Sequence, residues 1–373
     1  MTNKIPSVRV AGGRFVDADG KPLMLRGCST AALNFVPIQG WSPDDPWGNQ
    51  TGGSKVPQWD LMRTLWNMNT VRIPVNQATW LGMEVVDYTG KTRQADPGRL
   101  AKPALIAAVK EATAQGHVVV IDLHWSAPGN SAPLEQNMFA DDPGSVIFWR
   151  SIAETFKSYP NVMFELFNEP VPYRVPRGRN PWEIYRHGGP MTGYVTAEPG
   201  VWYREQPWRA AGFQQMLDAI RGTGATNVCL IAGDNWAGDL RQWLEYKVDD
   251  PLGQIAATWH VYPAFGAEFG TKEHLEISNH GSWADADRII AAGYPVAVTE
   301  IGDQCTPGTP GSPFADRHLG NLRKRRTGTM GVWGWTWNVW PNETKHVLIR
   351  DGEGTPTDGW GRVYYEWCRS VQT

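Results

Sequence analysis

The chain has 373 residues, 41% of them hydrophobic and 20% charged, enough apolar surface for a large core and too much for wholesale disorder. With 35 basic and 38 acidic side chains the formal net charge is −3, and the longest basic run is Arg323 to Arg326. That balance gives no electrostatic case for a nucleic-acid partner. No stretch is long and apolar enough to span a bilayer, and the opening MTNKIPSVRV lacks the apolar region of a secretory leader.

The residues before the first apolar run, SVRVAGGRFVDADGKPLML, suggest a hairpin with its turn at Asp19-Gly20, placed to plug one end of a barrel. Eight apolar or β-branched runs follow: 23–30, 70–75, 117–125, 161–170, 227–236, 255–263, 295–302 and 331–338. Helical patterns lie between several of them. In Pro103–Gln115, Leu105, Ile106, Val109 and Ala112 fall on one face, and Phe148–Tyr159 and Phe213–Thr223 repeat the pattern. Strands alternating with helices indicate βαβ units, and eight of them indicate a closed (β/α)8 TIM barrel of the α/β class. No linker divides the chain, so one catalytic-type domain over residues 1–373 is expected. Long segments follow the first, second and fourth strands, and 171–208 is rich in Pro, Gly, Arg, Tyr and Trp. Loops on that side of a barrel build the active site, so their length suggests a walled groove.

The fourth run reads FELFNEP and ends by presenting Asn168 and Glu169 before Pro170, which has no backbone donor. The other runs also end in polar or aromatic residues: Arg72, His124, Trp125, Asn235, Trp236, His260, Tyr262, Glu300 and Trp335. Taken singly, each has a structural explanation; their coincidence at one rim points to a ligand. Glu169 and Glu300 lie three strands apart in an eight-strand ring and so face each other across the mouth. Paired carboxylates suit glycoside hydrolysis. Arg72 and Tyr262 are suited to donate to Glu300, and Asn168 to hold a sugar hydroxyl. His124 and His260 are suited to serve the substrate or the carboxylates. Glu165 and Asp122 lie deeper in their strands and are expected to be paired structural acids.

Twenty tryptophans are far more than packing requires, and flat aromatic faces suit sugars. Trp41, Trp47, Trp80, Trp125, Trp182, Trp202 and Trp236 are the candidate platforms. Cys28, Cys229, Cys305 and Cys368 show no metal-ligand spacing, so no metal or other cofactor is expected, while one or two disulfides remain open.

FNEP, TEIG, LHW with a following Pro-Gly, and HVYP, in this order from Arg26 to Asn338, resemble glycoside hydrolase family 5, the bacterial cellulases in particular. The resemblance implies a retaining β-glycosidase with Glu169 as acid/base and Glu300 as nucleophile. It implies supporting roles for Arg72, His124, Asn168, His260, Tyr262 and Trp335. An endo-β-1,4-glucanase is the leading expectation, with a β-mannanase or an exo-acting β-glucosidase-like enzyme as alternatives. A silent carbohydrate-binding barrel and a metal-dependent hydrolase rank below. The expected partner is a β-linked polysaccharide, with no membrane or nucleic acid, for a monomer in a secreted or periplasmic setting. Here Glu300-Ile301-Gly302 replaces the commoner Glu-Phe-Gly, and the 174–208 insertion makes endo or exo action the less certain part of the expectation.

Overall fold

The computed structural model describes residues 6–86, 91–126, 137–171, 175–192, 207–277, 281–303, 310–340 and 346–371. Two short strands open it, β1 (Arg9–Ala11) and β2 (Arg14–Val16). Barrel strands β3 (Arg26–Ser29) and β4 (Thr70–Asn76) follow, then the surface pair β5 (Glu84–Val86) and β6 (Thr92–Gln94). Next come β7 (Val118–Trp125) and β8 (Val162–Glu165), then the pair β9 (Gly189–Thr192) and β10 (Pro207–Ala210). The last four are β11 (Cys229–Ala232), β12 (Ile255–Val261), β13 (Val296–Ile301) and β14 (Met330–Gly334). The eight parallel strands close in the order β11-β12-β13-β14-β3-β4-β7-β8, and each corresponds to one of the eight runs in the sequence.

Alternation along each strand divides the side chains between two environments. Val118, Val120, Met163, Val228, Leu230, Ala256 and Ala297 point into the barrel and fill its lower half. Higher in the same strands the inward positions turn polar, with Asp122, Glu165 and Thr299 all fully buried. Outward residues such as Val119, Ile121, Phe164 and Val298 pack beneath the helices in the larger core. The three helices anticipated above run Ala101–Ala114, Gly144–Phe156 and Phe213–Arg221. Ile106 departs from expectation: Leu105, Val109 and Ala112 are buried, but Ile106 lies at the edge of the apolar stripe and is exposed.

The anticipated hairpin turns at Asp19-Gly20, where Asp17 N–H donates to the Lys21 carbonyl, Leu23 N–H to that of Phe15, and Val16 bridges Pro22 antiparallel. A further turn just before it, at Gly12-Gly13, pairs Ala11 with Arg14 and Arg9 with Val16. Both turn glycines adopt positive φ, the conformation a tight turn needs and glycine adopts most cheaply. Asp17 Oδ1 reinforces the Asp17–Lys21 turn by accepting from the N–H groups of Asp19 and Lys21. Phe15 and Val8 pack onto the inward residues of the barrel floor, so the hairpin does plug that end. Close strand packing also dictates Gly27, where any Cβ would collide with the carbonyl of Thr70.

The insertion after β8 carries a helix, Pro181–His187, and the antiparallel β9–β10 pair. Cys28, Cys229 and Cys368 are buried free thiols, so none of these three is in a disulfide; Cys305 lies outside the described residues. No helix among the described residues is long and apolar enough to cross a membrane.

Candidate active site

The ladder of β8 ends at Glu165, earlier than the sequence suggested, yet the chain stays tied to its neighbours beyond it. Leu166 N–H donates to the Leu230 carbonyl and Asn168 N–H to that of Leu123. These bonds carry Asn168 and Glu169 to the mouth of the barrel, directly above Glu165. On the far side, register shifts between Thr258 and His260 and between Val298 and Ile301 interrupt the β12–β13 and β13–β14 pairings. Irregularities of this kind re-aim side chains, and here they fall at His260 and Glu300.

Arg72 is the hub. Its guanidinium is fully buried and donates to Glu165 at 2.5 Å, Asn168 Oδ1 at 2.6 Å and Glu300 Oε1 at 2.7 Å. The same group pairs with Asp122 at 2.9 Å. Tyr262 donates its phenol to the other oxygen of Glu300 at 2.7 Å. Both donors anticipated for Glu300 are therefore in place. Glu165 and Asp122 are paired buried acids, as expected from their depth. His124 Nδ1 lies 2.7 Å from Asp122, and its ring stacks flat against Trp335, centroids 5.6 Å apart. His260 Nδ1 lies 2.8 Å from Glu169 Oε1 and 3.7 Å from Glu300 Oε2.

Three carboxylates converge on one guanidinium, and all are removed from water. Burial tends to lower the ionisation of Arg72, but Asp122, Glu165 and Glu300 overcome this and hold it charged. Burial drives the Asp122 carboxyl up to about 7 against the pull of Arg72, and raises Glu165 in the same way. Burial also pushes His124 and His260 down to about 4, so both imidazoles are neutral near pH 7.

One oxygen of Glu169, one of Glu300 and one nitrogen of His260 lie within 4.8 Å of each other, the only such grouping among the described residues. A cation there would have to displace existing partners. Arg72 and Tyr262 occupy the two Glu300 oxygens, and Glu169 and Thr299 face the two nitrogens of His260. The trio fits a hydrogen-bonded carboxylate pair better than a metal centre.

The tryptophan candidates separate by burial. Trp47, Trp80 and Trp182 are core residues: Trp47 packs edge-on against Trp59, Trp80 bonds Ser151, and Trp182 stacks on Tyr246. Their neighbours in sequence looked like loops, but long-range packing covers them. Trp202 lies outside the described residues. Trp125, Trp236 and Trp335 are half-buried, and Trp41 is 64% exposed. Phe35, not picked out from the sequence, lies between Trp41 and Trp125, with ring centroids 5.3 and 6.3 Å away. The result is an aromatic ledge running outward from the rim residue Trp125. Asn235 and Trp236 reach the rim on a loop where three successive non-glycine residues, Asn235, Trp236 and Ala237, have positive φ. Such strain persists only where the surroundings enforce it, and Trp236 N–H is tied to the carbonyl of Pro170, next to Glu169.

Two further contributors escaped the sequence reading. His346 sets its ring edge-on to Tyr262 at 5.2 Å. Gly302 leaves room for both rings, since a Cβ there would come within 2.9 Å of each. Thr299 links His260 to Glu165, at 3.1 and 2.6 Å; its place directly before Glu300 was the available signal.

Residues 16–340 match the family model described as Cellulase (glycosyl hydrolase family 5). The chain belongs to that family. Among curated relatives it is 24% identical to Endoglucanase A of Butyrivibrio fibrisolvens over 342 residues, 91% of this chain and 62% of the relative. It is 21% identical to an endoglucanase of Clostridium saccharobutylicum over 360 residues, 95% of this chain and 61% of the relative. The chain thus spans about three-fifths of the length of these two family relatives. Among solved structures, the β-glucanase SdGluc5_26A of Saccharophagus degradans in complex with cellotetraose superimposes with a TM-score of 0.63 at 18% identity, over 98% of this chain and 94% of that one. The catalytic domain of Thermobifida fusca endoglucanase Cel5A gives 0.55 at 18% identity, over 98% and 97%. These likenesses establish the family's (β/α)8 barrel here.

Proposed function

We propose that the chain is a retaining endo-β-1,4-glucanase in which Glu300 is the nucleophile and Glu169 the acid/base. The observation that carries the reading is the approach of the two carboxyl groups, with oxygens within 4.8 Å. Retention uses carboxyl groups roughly 5–5.5 Å apart, whereas inversion needs roughly 6.5–9.5 Å to admit a water between them. In the first step a Glu300 oxygen bonds to the anomeric carbon while the Glu169 proton passes to the departing glycosidic oxygen. In the second, Glu169 takes a proton from water, whose oxygen bonds to the same carbon and releases Glu300.

The surroundings divide the labour. Arg72 and Tyr262 hold Glu300 in one rotamer and leave its oxygens facing donors, the arrangement a nucleophilic carboxylate needs. Trp335, braced flat on His124, offers a sugar platform beside the two glutamates. Asn168, oriented by Arg72, is suited to a hydroxyl of the sugar under attack. Asn235 and Trp236 stand on the Glu169 side and suit the leaving portion. The ledge of Trp125, Phe35 and Trp41 extends the groove and favours a long chain over a single sugar. Both family relatives named above are described as endoglucanases, which favours internal cleavage of a β-1,4-glucan.

The test is product analysis on carboxymethyl cellulose, barley β-glucan, mannan, xylan and cello-oligosaccharides, for the wild type, Glu169→Gln and Glu300→Gln. Internal cuts in the glucans are expected, absent from both folded variants. Preference for mannan or release of single sugars would overturn the substrate, and full activity in either variant would overturn the mechanism.

A further inference from the structure

Five side chains, from Arg72 behind the mouth to Glu169 at it, are hydrogen-bonded end to end. Glu165 Oε2 accepts from Arg72 Nε at 2.5 Å and Oε1 from the Thr299 hydroxyl at 2.6 Å. Thr299 Oγ1 is 3.1 Å from His260 Nε2, and His260 Nδ1 is 2.8 Å from Glu169 Oε1. Glu165, Thr299 and His260 are at most 1% exposed, so water does not compete for these bonds.

With Glu165 ionised against Arg72, the proton count along this chain has one direction. Arg72 has no lone pair to offer Glu165, and the hydroxyl of Thr299 has a single proton, given to Glu165. Thr299 Oγ1 can then only accept from His260, which requires the imidazole proton on Nε2. His260 is neutral, because burial holds it down to about 4. Its Nδ1 therefore presents a lone pair to Glu169, and the 2.8 Å contact is a hydrogen bond only when Glu169 supplies the proton.

We infer that Thr299 and Glu165 are positioning residues which fix His260 as the Nε2–H tautomer and thereby keep a proton on Glu169. The inference rests on the acid role proposed for Glu169. Among the described residues, the other groups facing His260 and Glu169 act in the same sense or are silent. Glu300 Oε2, 3.7 Å from Nδ1, adds negative charge that favours a proton between His260 and Glu169. Tyr262 spends its proton on Glu300, and Asp122 and His124 bond each other. Arg72 pairs with both Glu165 and Glu300, where it favours an ionised Glu165 and a neutral His260.

Glu165→Gln reverses the chain without changing its shape. Arg72 can only donate, so the amide oxygen must stay on it and the amide NH2 must face Thr299. Thr299 then accepts, turns its proton onto His260 Nε2 and forces the proton of His260 to Nδ1. The alkaline limb of kcat/KM on glucan is expected to move down by about one pH unit or more. Turnover of glucan at pH 7 is expected to fall at least about tenfold, as for impaired general-acid catalysis. Hydrolysis of dinitrophenyl β-cellobioside, whose leaving group needs no proton, should stay within about threefold of wild type. Thr299→Val should move the limb in the same direction, and Thr299→Ser should restore it. Independently of turnover, 15N spectra of imidazole-labelled protein, with His260 assigned by its loss in His260→Asn, should report Nε2–H in the wild type and Nδ1–H in Glu165→Gln. An Nδ1–H tautomer in the wild type, or an unmoved pH profile in both folded variants, would overturn the inference. Should the enzyme prove to use another acid, the rate data would fail while the tautomer still judged the chain.

Discussion

Replacing Arg72 by lysine keeps a positive charge and removes a geometry. The guanidinium reaches Glu165, Asp122, Glu300 and Asn168 from three nitrogens spread over one plane. A lysine ammonium is a single nitrogen and leaves at least one buried carboxylate without a cation at contact distance. Breaking a buried pair by removing one partner costs roughly 3–5 kcal/mol, so a loss of about 3 kcal/mol or more is expected at pH 8. The loss should shrink towards pH 5. Asp122 titrates at about 7 in the fold against an ordinary 3.8, so it favours the folded state at low pH and loses that contribution as pH rises through 7. Below that range Asp122 is protonated and needs no cation, and Glu165 is raised in the same direction. Urea unfolding of wild type and Arg72→Lys at pH 5 and 8 measures both effects. A destabilisation below about 1 kcal/mol at pH 8, or one equal at both pH values, would refute the account of Arg72 as the counterion of a buried acidic cluster.

Asp141 offers a second pH test, away from the mouth. It is buried against neutral donors from Gln77, Ser145 and the Gly144 backbone, and burial raises it to about 7. Its contribution to stability is thus complete at low pH and lost as pH rises through 7, up to roughly 4 kcal/mol if it ionises fully in place. Asp141→Asn should be less stable than wild type at pH 5 by about 1 kcal/mol, for the Gly144 bond it gives up, and more stable at pH 9. Calorimetric curves that fail to cross would rule this out. For the aromatics, Trp41→Ala should raise KM on long glucans several-fold with no change in Tm. Trp80→Ala should cost roughly 3–5 kcal/mol of stability and leave KM of the folded enzyme alone; the reverse pattern would mean that the exposed and buried tryptophans had been assigned the wrong way round.

What the sequence determined by itself was local. Alternation of apolar residues marked all eight barrel strands, and Asn168, Glu169 and Glu300 declared themselves by standing where an apolar run stops. The depth of Glu165 and Asp122 could be read from their positions within strands, because side-chain direction repeats every two residues. Chain neighbours carry that information. Burial is a property of distant segments brought together, and it could not be read this way. Trp47, Trp80 and Trp182 sit among loop-forming residues yet are packed inside, while Trp41 was left exposed on the ledge over the buried Phe35. The Asp19-Gly20 turn was legible from its dipeptide, whereas the Gly12-Gly13 turn that adds a strand in front of it was not read, and its register lays Val8 and Phe15 on the barrel floor. The direction of the proton chain was decided only in three dimensions. Glu165 and Thr299 are 134 residues apart, and no spacing rule pairs them. Only barrel closure puts their oxygens within one hydrogen bond, behind the histidine that faces Glu169.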